Sequence, residues 1–541
     1  MINLTENLLV NKYKIKHNVF ELYKQALNDI EDQLKVYDEI REYNQLKVLH
    51  AFQEERISDS HFTNSSGYGY DDIGREALDK VYARVFNAES ALVRPHFVNG
   101  THAIGCALMG NLRTGDTMVC ISGAPYDTLH NIIGINDKEN IGSLREYGVK
   151  YKQVDLLNGK FDVEKITEVL KEDNSIKLVH IQRSTGYGWR NSFLVSEIGE
   201  IIKLVKSIRE DVVVFVDNCY GEFIDTIEPT DVGADLIAGS LIKNAGGGIA
   251  PTGGYIVGKA KYVEQASYRL TTPGIGGECG STFGVMRQLY QGLFLAPHIV
   301  MEAVKGAIFC SRIMELAGFE VLPKYTDKRS DIIQAIKFGN KENLINFCKG
   351  IQKGSPIDSF VECEPWAMPG YNDEVIMAAG AFIQGSSIEL SADAPIREPY
   401  IAYLQGGLTF DHAKIGILIS LPIFYDEMLN SLFNIDEGLL KMIKIYRVSK
   451  LDKIKVIVIP VIYMEIKKIM SSTISLIFKV VISSEVYAQP QYGIGSIIQF
   501  EKLQLNTSAI IGWMIIITLI ICFIDFITTK LIRGERENAN K

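Results

Sequence analysis

The sequence reads Val-Val-Val-Phe-Val-Asp-Asn-Cys-Tyr at residues 212–220 and Ala-Gly-Ser-Leu-Ile-Lys-Asn-Ala-Gly-Gly-Gly at residues 238–248. The first stretch is a continuous apolar run that ends in Asp217, as expected of a strand buried on both faces. The second stretch contains Lys243, with Ser240 three positions before it. This pattern suits pyridoxal phosphate chemistry, in which the lysine holds the cofactor as a Schiff base and the aspartate pairs with the protonated pyridine nitrogen. These neighbours favour a cofactor lysine over a lysine of a surface loop.

Short apolar runs recur through the first 290 residues and alternate with helical patterns. They lie at residues 91–93, 118–122, 178–182, 212–217, 236–238 and 255–257. Strands separated by helices predict an α/β fold with a mostly parallel sheet and right-handed crossovers. Ligands of such sheets bind at the carboxyl ends of the strands, and Asp217 and Lys243 both fall there.

The length of 541 residues exceeds what one compact core usually holds. We expect an N-terminal helical arm over residues 1–60, a large cofactor-binding domain over 61–290, a small α+β domain over 291–421 and an α-helical membrane tail over 422–541.

The net charge of −9, with no basic block before residue 420, argues against nucleic-acid binding. The eight cysteines contain no C-x-x-C pair, which favours reduced thiols in a cytosolic enzyme, and no metal site is predicted.

Further candidate site residues lie beside the predicted strand ends. Gly100 and Thr101 open a helical pattern, and the exposed N–H groups of a helix start favour a phosphate by about 0.3–2 kcal/mol. Ser240 could donate to the same phosphate, and Tyr126 could stack on the pyridine ring. Arg397 lies between two prolines, and its guanidinium is a candidate to bind the substrate carboxylate through two parallel hydrogen bonds. A core tyrosine and a structural arginine would produce the same local patterns, so these two assignments stay open here.

Together, these residues resemble the pyridoxal phosphate lyases of sulfur amino acids, namely the cystathionine lyases and methionine γ-lyase. Val-Asp-Asn-Cys-Tyr is similar to their Val-Asp-Asn-Thr-Tyr, and Ser240 and Lys243 match their serine and lysine. A bacterial branch named for aluminium resistance is more similar still. The motifs shared with that branch are Gly-Tyr-Gly-Tyr at 67–70, Gly-Thr-His-Ala-Ile at 100–104, Gly-Ala-Pro-Tyr-Asp-Thr at 123–128, Ala-Pro-Thr-Gly-Gly-Tyr at 250–255 and Pro-Ile-Arg-Glu-Pro-Tyr at 395–400. The resemblance covers residues 10–421.

This resemblance implies an aspartate-aminotransferase-like fold, an amino-acid substrate and a homotetramer built from two dimers. In the better-known lyases a tyrosine and an arginine of the neighbouring subunit hold the phosphate, and Tyr68 is the matching candidate, with Tyr70 beside it. The threonine that precedes the lysine in those lyases is Ile242 here, so one phosphate donor is absent. The resemblance also implies that Arg183 replaces the asparagine that touches the cofactor's phenolic oxygen.

The tail, residues 422–541, resembles a different family. Isoleucine- and valine-rich runs begin beyond residue 422, and the segment at 509–527 is long and apolar enough to span a bilayer. The basic stretch at 441–460 and the segment at 484–495 are similar to the C-terminal part of a nitrate/sulfonate/taurine-type ABC transporter permease. The length suffices for one or two spans without a pore-forming core.

The sequence thus predicts a cytoplasmic carbon–sulfur lyase that performs β- or γ-elimination on a sulfur amino acid. Its truncated permease-like tail would attach it to the membrane if inserted. Two alternatives stay open. One is a membrane transport component with a relic cofactor domain, and the other is the same fold performing transamination or aldol cleavage. The sequence does not decide between β- and γ-elimination, or between a natural fusion and a frameshift product.

Overall fold

Two compact units make up the chain, Met1–Pro422 and Ile423–Lys541. The computed structural model describes residues 7–13, 15, 17–136, 140–421, 485, 493–504, 506, 508–509, 511–513 and 515–516. Nearly all of the first unit is therefore described, and only a small part of the second. Every strand among these residues lies in the first unit.

The predictions for the tail concern residues that the structure mostly does not describe. The permease-like stretch at 441–460 lies outside the described residues, as does most of the predicted span at 509–527. The longest described helix of this unit is Ile494–Leu503. Among all described residues, one helix, Met286–Leu316, is long and apolar enough to cross a membrane, and most of it is buried in the first unit. A core helix of a globular protein has the same properties, so this helix is weak evidence for a membrane span.

A seven-stranded mixed sheet forms the centre of the first unit. Across the sheet its strands are β1 (Ser90–Arg94), β7 (Gly254–Gly258), β6 (Leu236–Ser240), β5 (Val213–Asp217), β4 (Ile176–Gln182), β2 (Thr117–Cys120) and β3 (Lys150–Gln153). Neighbours from β6 to β3 are parallel, whereas β7 is antiparallel to both β1 and β6. The predicted α/β fold is confirmed, with one strand reversed.

The apolar runs became strands because helices cover both faces of this sheet. Every residue of β5, β6 and β7 is buried, so alternation of polar and apolar residues is not needed there. The exception is β3, whose sequence Lys-Tyr-Lys-Gln is largely exposed and was not predicted as a strand. It lies at the sheet edge and is held by parallel pairing with β2. Backbone hydrogen bonds, which leave no mark on composition, stabilise it.

The main helices of the first unit come in the order that the alternating pattern predicts. They are α1 (His17–Glu54), α2 (Ile73–Val85), α3 (Gly100–Asn111), α4 (Leu129–Ile133), α5 (Val163–Glu172), α6 (Val195–Ile208), α7 (Ala260–Leu270), α8 (Met286–Leu316), α9 (Lys341–Lys353) and α10 (Phe410–Ser420). The 38-residue α1 packs along α8, and α3 packs against α7 and β6. Since α8 runs without interruption through residues 290 and 291, a single helix crosses the expected domain boundary, and the domain limits stay predictions.

A second, antiparallel sheet of five strands follows α8. Its order is β10 (Val375–Ala378), β11 (Ser391–Pro395), β12 (Ile401–Gln405), β9 (Gln334–Lys337) and β8 (Glu320–Leu322). Side chains of this region reach the loops that follow β4 and β5: Tyr403 Oη donates to the carbonyl of Tyr187 at 2.6 Å, and the hydroxyls of Ser387 and Tyr220 pair at 2.9 Å. The second sheet therefore stands beside the strand ends where ligands are expected to bind.

Candidate active site

A cavity lies at the carboxyl ends of β4 and β5 and beside the turn that follows β6. Four residues predicted from the sequence line it: Thr101, Tyr126, Asp217 and Lys243. They come from four separate chain segments, and the parallel order of the strands brings them to one sheet edge. The fold thus brings these four residues to one cavity, and their roles stay predictions.

Lys243 lies in the turn after β6, where the backbone leaves the sheet for a short 3₁₀ turn at Asn244–Gly246. Its Nζ atom stands 3.9 Å from the centroid of the Tyr220 ring. Burial opposes the charge of the amine, but coupling to Cys219, Tyr220 and Asp217 outweighs it, so the pKa of Lys243 is raised. The free lysine is thus an ammonium held among aromatic and acidic groups.

Asp217 ends β5 and is 5% exposed. Its Oδ1 accepts a hydrogen bond from the backbone N–H of Cys219 at 3.1 Å. Burial raises the pKa of Asp217, whereas the charge of Lys243 and the Cys219 N–H lower it. A buried carboxylate with so few donors is stable only beside a cation. A protonated pyridine nitrogen meets this need, so the carboxylate fits the expected cofactor.

The N-terminus of α3 provides unpaired backbone donors next to the cavity. Asn99 caps the helix, since its Oδ1 accepts from His102 N at 2.8 Å. Neither the N–H of Gly100 nor that of Thr101 has a hydrogen-bond partner among the described residues. These groups and the helix dipole together favour an anion such as a phosphate.

Gly100 and Ser240 adjoin this helix start. A Cβ atom on Gly100 would lie 3.2 Å from both Ser240 Cβ and Cys219 Sγ, so a larger residue would crowd the contact between α3 and β6. The hydroxyl of Thr101 pairs with that of Thr128 at 2.8 Å, which orients both groups at the cavity wall. The donor set is hydroxyls and N–H groups, as a phosphate requires. The residues present therefore fit pyridoxal phosphate.

Tyr126 belongs to a group of tyrosines over the cavity. Its Oη is 2.8 Å from that of Tyr371, and its ring centroid is 5.5 Å from that of Tyr187. Burial raises the pKa of Tyr126 well above its usual value, so the phenol stays protonated. The structure places this side chain where a ring bound in the cavity could contact it, and the stacking itself stays a prediction.

The expectation for Arg183 is corrected. Its side chain does not line the cavity, although Gln182, the last residue of β4, and Ser184 do. Arg183 forms a fully buried ion pair with Glu228 at 3.0 Å and donates to the side chain of Asn218 at 2.8 Å. Its guanidinium therefore connects the sheet to the neighbouring loop and is not placed to reach a phenolic oxygen.

Replacing Arg183 with methionine should lower stability and leave cofactor binding intact. The change leaves the buried Glu228 carboxylate without its cationic partner. We therefore expect the free energy of unfolding to fall by about 3–5 kcal/mol. The shift of the urea midpoint measures this loss. The double variant Arg183→Met/Glu228→Gln should regain much of it, because no charge is left unpaired. If the urea midpoint were unchanged and the visible absorption spectrum of the bound cofactor were altered, Arg183 would contact the cofactor after all.

Two other predicted residues lie away from this cavity. Tyr68 is 72% exposed and stacks on Tyr70 with ring centroids 5.4 Å apart. It does not line the cavity of its own chain, so its role toward a neighbouring subunit stays a prediction. Arg397 is also part-exposed and pairs with Asp373 at 2.9 Å. Burial raises the pKa of Tyr403, and the charge of Arg397 opposes that shift.

Several residues of the site were not predicted. Gln182 and Ser184 line the cavity, and the Oε1 atom of Gln182 is buried without a hydrogen-bond partner in the described part of the chain. Gln182 ends β4, so its place at the carboxyl end of a buried strand was a usable signal for it. Tyr371, whose hydroxyl pairs with that of Tyr126, comes from the second sheet region, and nothing in its local sequence indicates this contact. Among the described ranges, no cluster of His, Cys, Asp and Glu could hold a metal ion.

Comparison with known proteins identifies the family. Residues 19–424 match the family model described as methionine gamma-lyase. The protein YnbB of Bacillus subtilis (strain 168) is 52% identical over 414 residues, which are 76% of this chain and 98% of that protein. A crystal structure described as a carbon-sulfur lyase involved in aluminum resistance, from Clostridium novyi NT, is 71% identical with a TM-score of 0.75, and the match covers 78% of this chain and 99% of the other. A structure from Clostridium acetobutylicum, described as a candidate cystathionine beta-lyase involved in aluminum resistance, is 71% identical with a TM-score of 0.76 and the same coverage.

The fold, the cavity and these matches together identify the protein as a lyase whose cofactor is pyridoxal 5′-phosphate. Within that class, the chain belongs to the methionine gamma-lyase family, in the branch associated with aluminium resistance. The family match ends at residue 424, so the resemblance of the tail to a permease has no support from these comparisons.

Proposed function

We propose that this protein cleaves a carbon–sulfur bond of a sulfur amino acid by β- or γ-elimination and releases a keto acid and ammonia. The observation that carries the proposal is the position of Lys243 and Asp217 on one cavity, next to the unpaired N–H groups of α3. The names of the Clostridium structures support a carbon–sulfur bond as the target.

Each side chain has a role that its position supports. The bound cofactor supplies an electron sink that makes the α-carbon acidic. Lys243 Nζ holds the cofactor, and once freed it removes the proton from the substrate's α-carbon. Asp217 keeps the pyridine nitrogen protonated, while Gly100 and Thr101, with Ser240, hold the phosphate.

The remaining roles complete the proposed site. Tyr126 packs against the cofactor ring, and Arg397 exchanges Asp373 for the substrate carboxylate. We further propose that the active form is a homo-oligomer in which Tyr68 of the partner subunit approaches the phosphate. Exposure of this side chain in the single chain supports that arrangement.

The products formed from cystathionine test the proposal and decide the position of cleavage. Purified protein loaded with cofactor should release ammonia and a keto acid from cystathionine at a rate well above that of free pyridoxal phosphate. β-Elimination gives pyruvate and homocysteine, whereas γ-elimination gives 2-oxobutanoate and cysteine, so chromatography of the keto acid separates the two. Amino-group transfer to an added keto acid, with no ammonia released, would instead identify a transaminase.

The same assay on a chain ending at Leu421 tests whether the tail takes part. This chain keeps every residue assigned to the site, and the boundary between the two units lies at residues 422 and 423. We expect equal turnover per bound cofactor and place this catalytic body in the cytoplasm, while the permease-like tail, if inserted, would attach the full chain to membranes. Loss of cofactor from the shortened chain alone would make the tail part of the enzyme.

A further inference from the structure

A hairpin in the second-sheet region, residues 366–375, lies against the wall of the cavity. The backbones of Trp366 and Val375 exchange two hydrogen bonds, of 3.2 and 3.0 Å, which close the base of the hairpin. Val375 is the first residue of β10, so this end of the hairpin is fixed to the second sheet. The residues between the two ends form a short loop, Ala-Met-Pro-Gly-Tyr-Asn-Asp-Glu.

The tip of this hairpin contacts two residues of the cavity. Tyr371 Oη is 2.8 Å from Tyr126 Oη, and the two rings meet edge to face with centroids 6.2 Å apart. Gly370 has a φ of +91°, and a Cβ atom built on it would lie 3.8 Å from the Cβ atom of Thr128. Tyr126 and Thr128 both line the cavity. The tip of the hairpin therefore covers part of the cavity wall.

The remaining contacts of the hairpin are weak. Asp373 pairs with Arg397 at 2.9 Å, but the two side chains are 38% and 43% exposed, and ion pairs in solvent contribute little to stability. Trp366 is 53% exposed, and Asn372 and Glu374 are exposed as well. A segment with so few buried side chains separates from the rest of a fold at low cost in free energy. The hairpin can therefore open while both sheets stay folded.

We propose that the hairpin of residues 366–375 is a lid, which opens to admit the substrate and closes over it by re-forming its two contacts with the cavity wall. Closure excludes water from the place where Lys243 moves the substrate proton. Tyr371 acts through Tyr126 and is therefore a positioning residue. The inference rests on the proposed function, since it assumes that a substrate reacts in this cavity.

A reversible cross-link between the lid and the cavity wall tests the inference. The double variant Gly370→Cys/Thr128→Cys places two thiols on Cβ atoms about 3.8 Å apart, the separation that disulfides prefer. The protein is loaded with cofactor first and oxidised afterwards, and mass spectrometry confirms the link. Oxidation should lower kcat/KM by at least about tenfold, because the closed lid keeps the substrate out, and dithiothreitol should restore the rate. Each single variant is a control, because its rate should not respond to dithiothreitol.

A second measurement needs no substrate turnover. Phenylhydrazine attacks the bound cofactor directly, and the absorbance of the product gives the rate of its entry. The oxidised double variant should react at least about tenfold more slowly than the reduced one. Tyr371→Phe keeps the ring and removes the hydroxyl that pairs with Tyr126, so its lid should open more often and react about threefold faster than wild type. Tyr147→Phe, at an exposed tyrosine that does not line the cavity, should react as wild type does.

The outcomes separate the lid from the proposed function. If the cross-linked protein reacts with phenylhydrazine equally fast before and after reduction, the hairpin is not a lid, and the lyase proposal stands. If oxidation slows phenylhydrazine but the reduced protein and the wild type cleave no sulfur amino acid, the lid stands and the lyase proposal fails. If the double variant does not fold or does not form the link, Tyr371→Phe decides, and a phenylhydrazine rate equal to that of Tyr147→Phe overturns the inference.

Discussion

Lys243→Ala should abolish the covalent link between the protein and pyridoxal phosphate. Wild-type protein treated with borohydride should retain a reduced cofactor on one peptide, because Lys243 is the lysine whose Nζ lies in the cavity with Asp217. The variant should retain none after denaturation, as mass spectrometry of the digested protein will show. Elimination should slow by at least about 10²-fold, the contribution of one positioned proton-transfer group.

An exposed lysine of the same unit is the control. Lys171 lies on the solvent side of α5, away from the cavity, and Lys171→Ala should behave as wild type in both measurements. If Lys243→Ala still gave a stable reduced adduct, another amine would hold the cofactor and the central assignment would be wrong. Addition of a small primary amine should restore part of the rate to Lys243→Ala, because only the proton-accepting group is missing.

Asp217→Asn should retain the cofactor but lose most of the rate. Asparagine fills the same space at the end of β5 and removes the charge that keeps the pyridine nitrogen protonated. A fall of two units in the pKa of that nitrogen corresponds to about 2.7 kcal/mol, or roughly a hundredfold in rate. Covalent cofactor content, measured after borohydride, should stay near that of wild type. The loss should appear in kcat more than in KM, since the interaction matters most when charge develops on the ring.

Asp211→Asn provides a matched control just before the same strand, where the carboxylate is exposed and pairs with Arg209. It should leave kcat unchanged. Turnover of Asp217→Asn near the wild-type value would place the partner of the pyridine nitrogen elsewhere. Loss of cofactor from this variant would instead show that the carboxylate is needed for binding, and the effect on rate would then need to be measured at saturating cofactor.

The strands and helices that the sequence predicted correctly are those whose local composition determines their structure. Buried parallel strands are apolar throughout, so β5 and β6 are visible as runs. Asp217 and Lys243 follow those runs directly, and the rule that ligands bind at strand ends places them together. The edge strand β3 was missed, because pairing on one side can hold a polar segment in a sheet.

The direction of a side chain just beyond a strand end was harder to predict than the strand itself. Arg183 was assigned by its place in a motif, yet it follows the end of β4 and does not line the cavity, whereas Gln182 and Ser184 do. A buried ion pair with Glu228 then uses its charge, and that partner is 45 positions away in the sequence. Contacts between residues so far apart depend on packing, which no local pattern records.

By itself, the sequence determined the fold class and the cofactor, because short apolar runs and the motifs that follow them carry both. It also predicted Asp217 and Lys243 as the two residues of the chemistry. The tertiary structure alone decided which side chains surround those residues. Tyr371, 245 positions from Tyr126, reaches the hydroxyl of that residue only because the chain beyond α8 packs beside the strand ends of the first sheet. Groups from segments distant in sequence become adjacent only after folding, so no local pattern predicts such contacts.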